Sequence, residues 1–273
     1  MRTLNNYKLL IDKDCPMCQL YGGAFEKTGM IEQGTCSPYQ TIDTSVSNSV
    51  DMNKARNEIA FYNTQTQEAL YGLDALVYII THSFSFLKPI LKNIVVEFFL
   101  RKLYKFISFN RKIIAPSSPQ LNERVCVPDL NLKYRFLYIL LVVIASSTVL
   151  FHFTKPINEF MGWKNHLGRE FLVCLGQLVW QSVILYKLPK DKLLDYLGNM
   201  MTVSLIGTLL LIPMLLINNQ LPLLHLAYFG LVVGFMFFEH IRRCKILDIG
   251  WLPSISWLIY RVFVLFIIGF VIH

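Results

Sequence analysis

Tyr7-Lys8-Leu9-Leu10-Ile11-Asp12-Lys13-Asp14-Cys15-Pro16-Met17-Cys18 decides how the N-terminal part of this chain is read. Residues 7–11 have the length and apolar character of a short buried strand. A Cys-x-x-Cys pair follows at once. A helical segment then runs from Pro16 to about Thr28, with Asp14 or Cys15 near its cap and Gly29 near its end. Pro16 suits the first helical turn, because the N–H it lacks would have no intrahelical partner. A cysteine placed there meets unpaired N–H groups and the positive end of the helix macrodipole, and both favour a thiolate. The thiolate is the form that attacks disulfides and binds metals.

Working outward, residues 36–42 read as a second strand, 44–50 as a polar turn and 52–56 as a short helix. Residues 58–62 and 69–72 flank the polar run Asn63-Thr64-Gln65-Thr66-Gln67 and read as a hairpin. Residues 73–82 form a helix with Leu73, Leu76, Val77 and Ile80 on one face. The order β-α-β-(α)-β-β-α is that of a thioredoxin-like fold, whose redox site follows the first strand. The Gly22-Gly23 pair is unfavourable within the first helix. Thioredoxins usually carry a cis-proline before the third strand. No proline stands near Asn57 or Glu58 here, and Pro38 falls on the earlier strand, where an edge or bulge tolerates it.

Composition divides the chain. Of 273 residues, 54% are hydrophobic and 16% charged, too apolar for an ordinary soluble domain. The first 130 or so residues read as soluble; from Phe136 onward, long apolar runs alternate with short polar loops. Five runs, 136–153, 171–186, 193–217, 221–238 and 255–272, approach the length needed to cross a hydrocarbon core about 30 Å thick. The domains are therefore 1–114, an α/β thioredoxin-like domain; 115–133, a linker opened by Ala115-Pro116-Ser117-Ser118-Pro119; and 134–273, an all-α membrane domain of about five transmembrane helices, with Pro213 placed to kink the third.

The net charge of +8 concentrates before the first span, in Lys88, Lys92, Arg101, Lys102, Lys105, Arg111 and Lys112. Beside a membrane span such a cluster reads as cytoplasmic retention and attraction to anionic headgroups rather than nucleic-acid binding. Within it, Leu91, Ile94, Val95 and Phe98 share a helical face, suited either to a membrane surface or to packing on the soluble domain. No signal peptide is expected. Lys133 and Arg135 precede the first span, Lys187, Lys190 and Lys192 follow the second, Arg242, Arg243 and Lys245 follow the fourth, and Asn218-Asn219-Gln220 after the third has no charge. This pattern predicts a cytoplasmic N-terminal domain and an outside C-terminus, although Lys155, Lys164 and Arg169 in the first outer loop run against it.

The soluble half resembles the DCC family of thioredoxin-like thiol-disulfide oxidoreductases, named for an Asp-Cys-x-x-Cys motif. The likeness covers roughly residues 5 to 114. It is carried by residues 10–18, by the hairpin with Tyr71-Gly72-Leu73-Asp74-Ala75-Leu76, and by Tyr104-Lys105-Phe106-Ile107-Ser108-Phe109-Asn110-Arg111, which looks like the family's closing helix ending in Asn-Arg. Lys13 stands where the family usually has glycine. The resemblance implies a redox dithiol at Cys15 and Cys18, no cofactor, and protein or small-molecule thiols and disulfides as partners.

In that chemistry Cys15 attacks and Cys18 resolves, since a spacing of three puts both sulfurs on one side of the first helical turn. Asp12 and Asp14 oppose a thiolate and Lys13 favours it. Two alternatives stay open: a non-catalytic membrane assembly or partner-binding protein, and a thiolate metal-binding protein in which Cys36 adds a third ligand. Cys36 otherwise reads as a small core residue. Cys126 and Cys244 fall on the cytoplasmic side as conceivable relay thiols, and Cys174 packs mid-membrane. In the spans, Gln177, Gln181, Asn199, His225 and Arg261 are the polar candidates for a pathway or for interhelical hydrogen bonds.

Overall fold

Alternation along β1 (Tyr7–Ile11) sends Leu9 and Leu10 to opposite faces of a sheet, and each seeds its own core. In the computed structural model, which describes residues 2–117, 128–217 and 221–270, the chain forms two units, Met1–Tyr134 and Arg135–His273. The first holds a four-stranded mixed sheet of order β2-β1-β3-β4, with β2 (Cys36–Pro38), β3 (Ala60–Asn63) and β4 (Ala69–Tyr71). β1 pairs parallel with β2 and antiparallel with β3, and β3 and β4 form the hairpin.

On one face Leu10, Ala60 and Tyr62 pack with Val46 of α2 (Thr44–Ser49) and Ala55 of α3 (Met52–Asn57). On the other, Leu9 and Phe61 meet Phe25 of α1 (Pro16–Lys27) and Ala75 and Ile79 of α4 (Gly72–Ser83). Each large apolar side chain so buried contributes about 1.5–3 kcal/mol.

The second strand is shorter than the sequence suggests. Pro38 has no N–H to extend the ladder, and Tyr39–Thr41 turns into a single 3₁₀ turn. The polar segment 44–50 is helical rather than a turn, held by buried Val46 and Val50. α1 runs unbroken through Gly22-Gly23. A Cβ at Gly22 would stand 2.7 Å from Cys36 Sγ, so close approach to β2 requires the glycine. Gly72 opens α4 at φ +58, and a Cβ there would collide with the Glu58 carboxylate.

The basic stretch is not one helix. α5 (Lys88–Leu91) is followed by α6 (Ile94–Ile114), capped by Asn93, whose Oδ1 accepts from Val95 N at 3.0 Å. The face bearing Ile94, Val95, Phe98, Phe99 and Leu103 is exposed, so packing of that face on the sheet domain is not observed. α6 docks through its second half instead. Ser108 Oγ donates to Asn57 O, Arg111 Nη2 donates to Arg56 O at 2.8 Å, and Asn110 Nδ2 donates to Tyr134 O at 3.1 Å.

The second unit is helical: α7 (Leu132–Phe153, its first turn in the first unit), α8 (Lys155–Met161), α9 (Leu167–Ile184), α10 (Lys190–Leu216), α11 (Pro222–Ile246) and α12 (Leu252–Phe270). Among the described residues four helices, α7, α10, α11 and α12, are long and apolar enough to cross a membrane, which makes this a multi-pass membrane protein by length and composition. The sequence suggests five. The remaining segment does form α9, but Arg169, Glu170, Gln177 and Gln181 dilute its apolar character. α10 continues through Pro213 to within one turn of its end. The loop 218–220 lies outside the described residues.

Polar contacts fix how these helices run. Arg135–Asp195 (3.1 Å), Tyr138–Thr202 (2.8 Å) and Ser146–Thr208 (2.8 Å) align α7 and α10 in parallel. Arg243 Nη1 to Asn199 Oδ1 (2.8 Å) near one end and Tyr228 OH to Leu210 O (2.6 Å) toward the other set α11 antiparallel to α10. Trp180 Nε1 to Ser256 Oγ (2.9 Å) and Tyr260 OH to Val173 O (2.9 Å) set α12 antiparallel to α9. His240 Nδ1 lies 3.1 Å from Ser254 Oγ, joining the end of α11 to the start of α12. The starts of α7, α10 and α12 and the ends of α9 and α11 therefore share one end of the unit.

Candidate functional site

β1 delivers the chain to Asp12 and α1 takes it up at Pro16; the three residues between make the turn that presents Cys15. Cys15 is the N-cap of α1, with φ −85 and ψ 112, and Pro16 follows it. No acidic side chain stands in the first helical turn, so nothing there competes with a thiolate for the helix's positive end. Cys15 and Cys18 are 5% and 6% exposed and both are free thiols.

Their acidities diverge. The Cys15 thiol is lowered to about 6. The Cys18 thiol, placed to donate to the Cys15 sulfur, is the largest cause; burial opposes it; the backbone N–H groups of Cys18 and Met17 and the Arg111 guanidinium add to the lowering. Cys18 is pushed far up, first because its proton is held against Cys15 and then by burial, with Arg111 working the other way. The pair thus shares one proton, kept on Cys18.

Arg111 belongs to α6, far along the chain, and is itself 7% exposed. With Met17, Cys18, Tyr21, Ile59 and Tyr104 it lines a hollow of about 50 Å³ beside Cys18. Tyr104 OH accepts from Ile59 N at 3.0 Å at the entry to β3, where no proline stands. Burial raises Tyr104 and Tyr21 above the usual tyrosine value, and the nearby cysteine charges raise Tyr21 further. Both hydroxyls therefore stay protonated.

The loop before Cys15 is pinned from the side. Gln40 Nε2 donates to Asp12 Oδ1 at 2.6 Å and to Asp14 Oδ2 at 3.4 Å, while its Oε1 accepts from Lys13 N at 3.4 Å. Asp14 N also donates to Asp12 Oδ1 at 3.1 Å. Lys13 is thus held by its backbone. Sequence reasoning does not single out Gln40, and it assigns Arg111 to the basic cluster and to a helix ending, not to the thiol pair.

Cys36 lies opposite Leu9 on the neighbouring strand, but its thiol is pushed up to about 12 by burial and by Glu26. Among the described residues no group of three or more His, Cys, Asp or Glu side chains is placed to hold a metal ion. The metal-binding alternative is left without a ligand set there. Cys126 lies outside the described residues, and Cys174 and Cys244 are buried in the second unit.

Of the polar candidates in the second unit, Gln181 Nε2 donates to Pro253 O at 3.3 Å and Asn199 accepts from Arg243, both as interhelical bonds. His225 Nδ1 lies 3.1 Å from Leu221 O, within its own helix. Gln177 is buried with no partner for its amide among the described residues, and Arg261 lies over the Trp257 ring at 4.9 Å.

No family model matches this chain, and neither a curated protein nor a solved structure does.

Proposed function

We propose that the chain is a membrane-anchored thiol-disulfide oxidoreductase with a thioredoxin-like domain of the DCC type, in which Cys15 attacks and Cys18 resolves. The observation that carries this reading is the divergence of the two thiols at the start of α1: Cys15 is held as thiolate near neutral pH, and Cys18 keeps its proton.

The chemistry follows from that divergence. The Cys15 thiolate attacks one sulfur of a substrate disulfide; a Cys15–substrate disulfide forms, and the other substrate sulfur leaves as a thiolate that takes up a proton. Cys15 is then neutral and no longer accepts the Cys18 proton. The largest cause of the raised Cys18 value is gone, while Arg111 still favours its thiolate. Cys18 deprotonates and attacks the Cys15 sulfur, giving the Cys15–Cys18 disulfide and the second substrate thiol. Two electrons have passed to the substrate, and an external thiol must return them.

Insulin reduction by the purified protein tests this. Cys15→Ser abolishes turnover, whereas Cys18→Ala accumulates the mixed disulfide. Turnover by Cys15→Ser at the wild-type rate sinks the proposal. The burial of both sulfurs favours a second reading, a partner-binding domain that does not turn over. A dithiol that stays reduced across the cytoplasmic range of potentials supports that alternative.

The orientation we assign places the dithiol in the cytoplasm and the C-terminus outside. Support comes from Lys187, Lys190, Lys192, Arg242 and Lys245, near the end of the second unit where α7, α10 and α12 start. Under this assignment α9 is a fifth crossing, since it returns the chain to that end. The exposed apolar face of α6, flanked by Lys102 and Lys105, suits a surface of anionic headgroups. Labelling of Cys15 by a membrane-impermeant thiol reagent in intact cells contradicts the assignment.

A further inference from the structure

The second unit contains a cavity of about 390 Å³ at the end opposite the Arg135–Asp195 pair. Its walls come from the end of α7, from α8, from the starts of α9 and α11, and from the second half of α12. The size falls within the roughly 300–1,000 Å³ of small-molecule sites. The lining is overwhelmingly apolar, and Phe160, Leu223, Leu226 and Leu265 at its rim are exposed on the outer surface of the helices.

Three charged side chains reach this apolar space: Arg169, Glu170 and Arg261. Arg169 and Glu170 neutralise one another, with Arg169 Nε donating to Glu170 Oε1 at 3.0 Å, and both side chains are buried. Arg261 sits near the middle of α12. Its guanidinium lies over the Trp257 ring at 4.9 Å, and among the described residues its Nε is buried without an acceptor and no carboxylate pairs with it. A cation in that position within a membrane helix is costly unless something answers its charge. The aromatic face offsets part of that cost and leaves the Nε–H without an acceptor.

We infer that this cavity binds a single-chain acidic amphiphile, such as a long-chain carboxylate, with its headgroup on Arg261 and its chain among the α8, α11 and α12 side chains. Apolar walls with one polar anchor fix both the class and the orientation of the ligand. The volume accommodates one chain rather than a diacyl lipid. The inference is independent of the dithiol chemistry.

The experiment uses the full-length protein in detergent and palmitic acid carrying a terminal diazirine as the probe, with labelled peptides identified by mass spectrometry. Labelling of residues 157–173 and 222–233 saturates. Unlabelled palmitic acid competes at least tenfold better than hexadecanol, which has the same chain and no charge. Arg261→Gln weakens labelling by roughly tenfold or more, as loss of a charged hydrogen bond predicts, and Arg261→Lys restores part of it. Should Arg261→Gln fail to fold, Gly230→Leu tests the cavity without touching the charge: Gly230 lines it, and a Cβ there meets nothing within 4 Å. That variant keeps the wild-type circular dichroism and loses the labelling. Equal competition by hexadecanol, non-saturating labelling, or full labelling of Gly230→Leu overturns the inference.

Discussion

Arg111 in the first unit and Arg135 in the second are nearly equally buried, at 7% and 2% exposed, yet they are used in opposite ways. Arg135 is matched to a carboxylate, Asp195, at 3.1 Å, and it also donates to Leu194 O at 3.2 Å. Arg111 anchors itself on a neutral carbonyl, Arg56 O, and its charge falls on two thiols. The first arrangement joins two helices. The second works to lower the pKa of both thiols. A buried arginine thus serves as a joint where it pairs with a carboxylate across two helices, and as part of a reactive site where its charge acts on thiols.

The largest effect expected from this contrast lies at the joint. Asp195→Ala leaves Arg135 buried without its carboxylate and costs about 3–5 kcal/mol, read as a lower thermal midpoint of the solubilised protein. The double variant Arg135→Leu with Asp195→Leu recovers most of that loss, because neither charge is then stranded. A cost under about 1 kcal/mol for Asp195→Ala would remove the contrast.

At the reactive site the change appears in acidity. Wild-type Cys15 alkylates with a midpoint at about pH 6. Cys18→Ala removes the largest cause of that lowering and moves the midpoint up the most. Arg111→Met removes a smaller cause and moves it up by less, within the roughly 1–3 units of a close opposite charge. Stability follows the same sign. Cys15 is depressed below its unfolded value near 8.5, so its stabilising contribution is complete above that value. The contribution fades as pH falls through about 6. Cys18 is raised, so it subtracts stability once pH exceeds the unfolded value. A midpoint unmoved in both variants would mean that neither Cys18 nor Arg111 tunes Cys15.

Much of the first unit is legible in sequence because local period and turn chemistry agree with the tertiary result. The run 7–11 forms β1 over Tyr7–Ile11, Pro16 opens α1, and the polar run 63–67 separates β3 from β4. What escapes is set by partners distant in sequence. α2 reads Thr-Ser-Val-Ser-Asn-Ser, with only Val46 and the following Val50 to anchor it in the core. The Arg111 charge reaches the thiols across more than ninety residues, and Gln40 reaches the loop from beyond β2. In the second unit hydropathy finds α7, α10, α11 and α12. The run 171–186 does overlap α9, but the hydropathy of α9 falls short of theirs, because residues satisfied by neighbouring helices, such as Gln181 on Pro253 O, look polar along the chain.

Gln40 gives the smallest and most local way to sharpen the comparison. Its side chain spans Asp12, Lys13 and Asp14 and makes no contact attributed to either sulfur. Gln40→Ala removes those bonds and costs about 1 kcal/mol, because the partly exposed loop recovers much of the loss from water. The midpoint of Cys15 alkylation stays near 6, since the charges and N–H groups that set it remain in place. The alkylation rate above that pH rises, because a loosened loop uncovers a sulfur that is otherwise 5% exposed. A rate change without a midpoint change separates access from acidity. If the midpoint moves instead, the loop carboxylates Asp12 and Asp14 control the thiolate, and Arg111 loses its place in the contrast with Arg135.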